Sequence, residues 1–209
     1  MTTKLVTFIF LFLFLSTSSV FADSKSDFEY QYSKYREHVS EFLIFKKDYI
    51  DTPSLDNQQK AMLTAKLAIR SRDLTKASFA AYINDLILQN NLVYTPLVQV
   101  SKGLLESQQH FLGEAAKSQN IVTLSDLQDF GDYYSKNYTK HEQSIKVGIV
   151  SQKIAKLKYY SMQLEKSFVE LKTKLPENVS IRVTERVAHL ESELKNITEK
   201  VDFMAEYLV

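Results

Sequence analysis

The sequence predicts an all-α protein, an elongated antiparallel bundle of about five long helices that ends in a heptad-patterned helical hairpin. Apolar residues recur every three or four positions along most of the 209-residue chain, which is the spacing of one face of a helix. Only four glycines and three prolines interrupt the pattern. The strictest periodicity lies in residues 147–208, where two helical arms flank a turn at residues 176–180. These features favour long helices over sheets.

Each arm of this hairpin carries one apolar stripe. In the first arm the stripe comprises Val147, Val150, Ile154, Leu157, Leu164, Phe168, Leu171 and Leu175, with Ser161 as its polar member. In the second arm it comprises Val183, Val187, Leu190, Leu194, Ile197, Val201, Met204 and Leu208. Alternation of three and four is the signature of a coiled-coil seam. Antiparallel folding is expected to pair Leu171 with Val187, Phe168 with Leu190, Leu164 with Leu194, Leu157 with Val201 and, as one weak layer, Ser161 with Ile197.

The two arms also differ in charge. Residues 136–174 contain nine lysines and three glutamates, whereas residues 177–209 contain four basic and seven acidic side chains. Opposite charges favour pairing between the arms over self-pairing of either one. The basic face from Lys136 to Lys174 could also contact an anionic lipid or polymer, although a solvated face neutralised by the second arm is the simpler interpretation.

Residues 1–22 have the pattern of a secretory signal peptide. Lys4 precedes an apolar run from Leu5 to Leu15, and small or aliphatic residues at 20 and 22 predict cleavage after Ala22. The alternative is an uncleaved membrane anchor. We therefore expect an extracytoplasmic protein, in the periplasm, at the cell surface or secreted.

Helix 1 is predicted from Ser26 to Ile50, with an aromatic stripe that we interpret as a core face rather than a stacking platform. The stripe comprises Phe28, Tyr32, Tyr35, Val39, Phe42 and Tyr49, with Phe45 beside it. A break at 51–54 follows, and either Thr52 or Ser54 could cap helix 2. Helix 2 is predicted over 55–90, with an alanine-rich face and a weak point at residues 70–73.

Helix 3 is predicted over 96–118, and helix 4 from Leu124 to Lys174 after a cap at Thr123 or Ser125. A bend or break is expected in helix 4 near Gly148, with Gly131 as a second weak position. Helix 5 is the second arm. The prediction is one helical domain over 23–209; the alternative divides it into a subdomain at 23–120 and a hairpin at 124–209.

Few residues could carry chemistry. Glu106 with His110, and Glu185 with His189, are i,i+4 pairs that could hold a metal, but the Glu-x-x-His pattern of di-metal bundles is missing from the sequence. We expect no metal and no cofactor. Neither a nucleophile elbow nor a phosphate-binding glycine loop occurs, so an enzyme is not expected. The chain contains no cysteine. Without residues 1–22 its formal charge is zero, which disfavours nucleic-acid binding.

The sequence therefore predicts an exported, non-enzymatic helical scaffold or binding protein that acts through protein or surface contacts. The expected partner is another protein or a second copy, bound through residues 147–208. Two alternatives stay open, a metal- or haem-binding bundle and a membrane-active helical protein. Three Asn-x-Ser/Thr sequons, at Asn137, Asn178 and Asn196, matter only in a eukaryotic secretory pathway.

Overall fold

The computed structural model describes residues 23–89, 96–176 and 179–207. Within these ranges the chain forms five α-helices and no β-strand, which confirms the all-α helical bundle. The helices are α1 Ser24–Asp51, α2 Leu55–Gln89, α3 Pro96–Lys117, α4 Leu124–Lys174 and α5 Ile181–Glu206, with a 3₁₀ turn at Ser118–Asn120. The predicted signal segment, the turn after α2, the centre of the hairpin turn with Asn178, and Leu208 lie outside the described residues.

Side-chain caps define three of the helix starts. Asp23 accepts a hydrogen bond from the Lys25 backbone amide at α1. At α2, Ser54 accepts from the Asn57 amide, so Ser54 rather than Thr52 is the cap. At α4, Thr123 and Asp126 form a reciprocal capping box. Each cap satisfies an amide that the first helical turn leaves without a partner.

The core lies where α2 and α3 meet the N-terminal half of α4. Its fully buried centre is Leu104 and Phe111 from α3, packed against α2 and α4. From α2, alanines 65, 68, 77 and 80 are buried, and these small side chains let neighbouring helices approach closely. Helix α1 contributes no fully buried residue and packs along α2, for example through Phe28 and Phe79, whose ring centroids lie 4.8 Å apart. None of the helices described here is both long and apolar enough to cross a membrane.

Helix α4 runs without interruption for 51 residues, so the expected break near Gly148 does not occur. The glycine has a packing role instead. A Cβ at this position would lie 2.8 Å from Leu104 Cδ2 and 3.2 Å from Ile83 Cγ2, closer than normal contact allows. A Cβ at Gly131 would lie more than 4 Å from every neighbouring atom of the described residues. Gly148 therefore lets α4 approach α2 and α3.

The hairpin forms, but α5 is rotated relative to the predicted register. Ser161 faces Thr198, with 2.8 Å between their hydroxyl oxygens, while the predicted partner Ile197 is 43% exposed. Thr198 also donates to the Glu165 carboxylate. A buried hydroxyl needs a hydrogen-bond partner, which a threonine supplies and an isoleucine does not. The predicted pairing of Ser161 with Ile197 was wrong for this reason.

Candidate interaction surface

The rotation of α5 leaves half of each predicted seam exposed. On α4 the row that faces α5 is Ile154, Ser161, Phe168 and Leu175, all buried or half-buried. The second apolar row of α4 is exposed and comprises Val150, Leu157, Leu164 and Leu171. We call it the α4 row. The corresponding α5 row comprises Val183, Leu190, Ile197 and Met204. These eight side chains are 36–52% exposed, although every one is aliphatic or a methionine.

The two rows lie on the same side of the hairpin. On each helix, the residues that face the other helix occupy two adjacent positions around the helix axis, and the exposed row lies about 80° from their centre. Ser161 and Glu165 mark this contact on α4. Thr198 and the buried Val201 mark it on α5. Since the helices are antiparallel and the offset has the same sign on both, the rows form one continuous surface. We call it the apolar face.

The apolar face points away from the rest of the bundle. Gly148 and Ala155 are the α4 positions on the opposite side, and both are buried. Gly148 approaches Leu104 of α3 and Ile83 of α2, so these two helices cover that side of α4. The face is consequently left uncovered by the described helices. In a folded protein such an apolar stripe is normally packed against another element, so its exposure on two helices makes this face a candidate interaction surface.

Ion pairs across the hairpin hold α5 in this orientation. Lys158 pairs with Asp202 at 2.8 Å and Lys172 pairs with Glu191 at 3.0 Å. Both pairs are substantially exposed, so each contributes little free energy, but together they favour one rotation of α5. They also show that acidic residues of α5 neutralise part of the Lys136–Lys174 basic face.

A second polar cluster lies inside the bundle, where α2, α3 and α4 meet. The Asp73 carboxylate is fully buried and accepts two hydrogen bonds from the neighbouring Arg72 guanidinium, at 2.8 and 3.1 Å. The guanidinium stacks 3.6 Å from the centroid of the Tyr134 ring. Burial raises the pKa of Asp73, even though the hydrogen bonds from Arg72 act in the other direction. The cluster thus contains a buried ion pair, in which burial opposes the charge of Asp73 and the hydrogen bonds from Arg72 favour it.

The same cluster continues through Lys76, which bridges α2 to α4. Its ammonium donates to the Tyr134 hydroxyl at 2.7 Å and forms an ion pair with Glu142. Burial raises the pKa of Tyr134, which keeps the phenol neutral. Nearby, Glu114 is 1% exposed; its Oε1 accepts from Lys117, while its Oε2 is buried without a hydrogen-bond partner in the described structure.

This cluster was missed at the sequence level, where residues 70–73 were interpreted as a weak point. A signal was present, since Asp73 and Lys76 share the helical face of Ile69, Ala80 and Ile83 and therefore point into the core. The arrangement links three helices. Its hydrogen bonds and ion pairs form a network between α2 and α4.

The metal candidates are not brought together. His110 stacks on His141 of α4 with ring centroids 3.9 Å apart and an interplanar angle of 12°. This face-to-face geometry does not direct both ring nitrogens at a common ion. Glu106 is exposed on α3, and Glu185 and His189 are exposed on α5. Within the described ranges no three His, Asp or Glu side chains converge in a group that could hold a metal ion.

The stacked histidines predict a pH dependence of stability. Burial lowers the pKa of His141 below its ordinary 6.5, and the adjacent His110 and Lys140 act in the same direction against Glu106 and Glu114. The fold therefore prefers neutral His141, and its contribution is present above pH 6.5 and lost as the pH falls through the folded pKa. We expect His141→Phe to reduce the loss in free energy of unfolding between pH 7.5 and 5.5.

Urea unfolding at both pH values measures this difference. Phenylalanine keeps the ring stack but cannot titrate, and Ser107, which contacts His141 at 3.2 Å, keeps its bond to the Gly103 carbonyl. The exposed His189→Phe variant is the control and should retain the full pH dependence. An unchanged dependence in His141→Phe would contradict the assignment.

Comparison of the chain with protein-family models, with curated proteins and with solved structures found no match.

Proposed function

We propose that this protein is an exported, non-enzymatic helical scaffold of the cell envelope or extracellular space, which binds a protein partner through the apolar face of its C-terminal hairpin. The observation that carries the proposal is the pair of exposed aliphatic rows, aligned on one side of α4 and α5. Exposed apolar surface of this extent is costly in water and is typical of protein contacts. The well-packed core in α2, α3 and α4 anchors the hairpin that presents it.

The details of the face favour a protein partner over an anionic surface. Its two rows consist of aliphatic side chains at heptad spacing, which match another helix or helix pair by knobs-into-holes packing. A lipid or polyanion would instead select the lysines of α4, and two of these, Lys158 and Lys172, pair with acids of α5. Export is proposed on the signal-like pattern of residues 1–22.

Photo-crosslinking in cells of the native host tests this proposal. A photoreactive residue at Leu190, within the face, is expected to form protein adducts. The same residue at the exposed Lys195, which lies on the other side of α5, should form few. An absence of protein adducts at Leu190 would overturn the proposed binding function. Fractionation should also recover an extracytoplasmic chain that begins at Asp23, whereas a cytosolic chain that retains residues 1–22 would contradict export.

A further inference from the structure

We infer that the occupant of the apolar face is a second copy of this chain, and that two hairpins pack face to face into a four-helix bundle with a two-fold axis parallel to the helices. This inference rests on the proposed function and names its partner. Each copy would offer one α4 row and one α5 row, so the interface is self-complementary, as two-fold symmetry requires.

The apolar face would form the centre of a dimer interface. The two rows lie at the same height over residues 157–171 of α4 and 190–204 of α5, about 21 Å along each helix at 1.5 Å per residue. Two adjacent helices are about 20 Å wide, so the shared part of the face covers roughly 420 Å² per copy. A standard stable interface buries about 800 Å² per partner, and the side chains that flank the rows would supply the remainder.

The heptad pattern explains why the face should meet helices. In a four-helix bundle each helix needs two apolar heptad positions, because it contacts two neighbours. Within one chain, α4 and α5 each use one of their two apolar positions and leave the other exposed. A second hairpin fills the unused position on both helices at once. The exposed α4 and α5 rows are therefore the positions that a second hairpin would cover.

Charge selects between the two possible symmetric arrangements. Over residues 146–174, α4 carries seven lysines and two glutamates, whereas α5 over 181–206 carries four basic and six acidic residues. With the two-fold axis parallel to the helices, each α4 lies beside the α5 of the other copy. With the axis perpendicular to the helices, α4 would lie beside α4, and their like charges would repel. The parallel axis is favoured.

This arrangement predicts specific neighbours across the interface. The ion pairs and hydrogen bonds within the hairpin set the heights of the two helices, with Ser161 level with Thr198. A parallel axis preserves these heights, so each α4 row residue meets an α5 row residue of the other copy at the same level. The expected layers are Leu157 with Met204, Leu164 with Ile197, and Leu171 with Leu190.

Sedimentation or native mass spectrometry of the purified full chain tests the inference. At about 10 μM the chain should be a dimer, and the double variant Leu164→Glu/Ile197→Glu should be a monomer, weakened by at least about 100-fold. Both positions are about half-exposed in the single chain, so circular dichroism should show unchanged helicity. The matched control is Met162→Glu/Val169→Glu, whose side chains are 60% and 59% exposed on the opposite side of α4. The control should remain a dimer.

Disulfide trapping tests the arrangement. The sequence contains no native cysteine that could form a competing disulfide. A mixture of the Leu164→Cys and Ile197→Cys chains should yield a crosslinked heterodimer under mild oxidation. The Leu164→Cys chain alone should yield little. Efficient crosslinking of Leu164→Cys with itself, and none in the mixture, would overturn the parallel axis.

A wild-type chain that is monomeric at about 100 μM would overturn the dimer itself, because standard interfaces are formed at that concentration. Loss of the dimer in the Met162/Val169 control, with retained dimer in the Leu164/Ile197 variant, would overturn the assigned face. If the purified chain is a monomer while Leu190 crosslinks to a different protein in cells, this inference fails and the proposed function stands. If Leu190 forms no protein adduct at all, the proposed function fails as well.

Discussion

Arg72→Met is expected to lower the free energy of unfolding by about 3 kcal/mol at pH 7, because it leaves the buried Asp73 carboxylate without its two guanidinium hydrogen bonds. The stacking of the guanidinium on Tyr134 is lost as well. Arg70→Met, an exposed arginine on the same helix, is the control and should change stability by less than about 0.5 kcal/mol. Urea unfolding followed by circular dichroism measures both.

A double-mutant cycle separates the attraction between Arg72 and Asp73 from the cost of burying the Asp73 charge. Asp73→Asn alone should cost less than Arg72→Met, because the Arg72 side chain that it leaves without a carboxylate is 25% exposed, whereas the Asp73 side chain is fully buried. The double variant leaves no charge of the pair without its partner and should therefore be more stable than Arg72→Met alone. Burial raises the pKa of Asp73, so the lone carboxyl takes up a proton in mild acid and the Arg72→Met penalty should be smaller at pH 4.5 than at pH 7. An Arg72→Met chain as stable as wild type at pH 7 would refute this account.

Gly148→Ala and Gly131→Ala are expected to change stability in opposite directions, although both replace a glycine within α4. Alanine gains about 1 kcal/mol of helix propensity at either site. At Gly148 the new methyl group would overlap Leu104 and Ile83, and overpacking of a core typically costs about 1–3 kcal/mol. At Gly131 it would meet none of the described residues.

The difference between the two alanine variants isolates the packing cost, because the propensity gain is common to both. We expect Gly131→Ala to raise the melting temperature and Gly148→Ala to be less stable than Gly131→Ala by about 1–3 kcal/mol. Thermal unfolding of both variants in parallel measures this. Equal stabilisation by the two substitutions would show that α4 can move away from α2 and α3 without cost.

Local chemistry made the helices predictable. Their boundaries follow from caps such as Thr123 with Asp126 and from prolines at or near the turns, and these signals act within a few residues. The buried Arg72–Asp73 pair was missed because a charged side chain on an apolar face has two interpretations, a break in the face or a paired charge. Only the presence of Tyr134 and Lys76 beside it distinguishes them.

The sequence predicted only part of the candidate surface. The heptad pattern of the hairpin identified which side chains could pack. Each helix has two apolar rows, however, and the sequence does not say which row faces the other arm. Thr198 decides this, because it satisfies the buried Ser161 hydroxyl and so rotates α5.

The amino-acid sequence alone therefore determined the all-α class, the helix boundaries and the existence of a hairpin with surplus apolar positions, because these depend on residues a few positions apart. The tertiary structure decided which of those positions are exposed, why α4 continues through Gly148, and that the exposed rows of α4 and α5 share one side. These outcomes depend on contacts between residues far apart in the chain, such as Ser161 with Thr198 and Gly148 with Leu104, and helical periodicity carries no information about them.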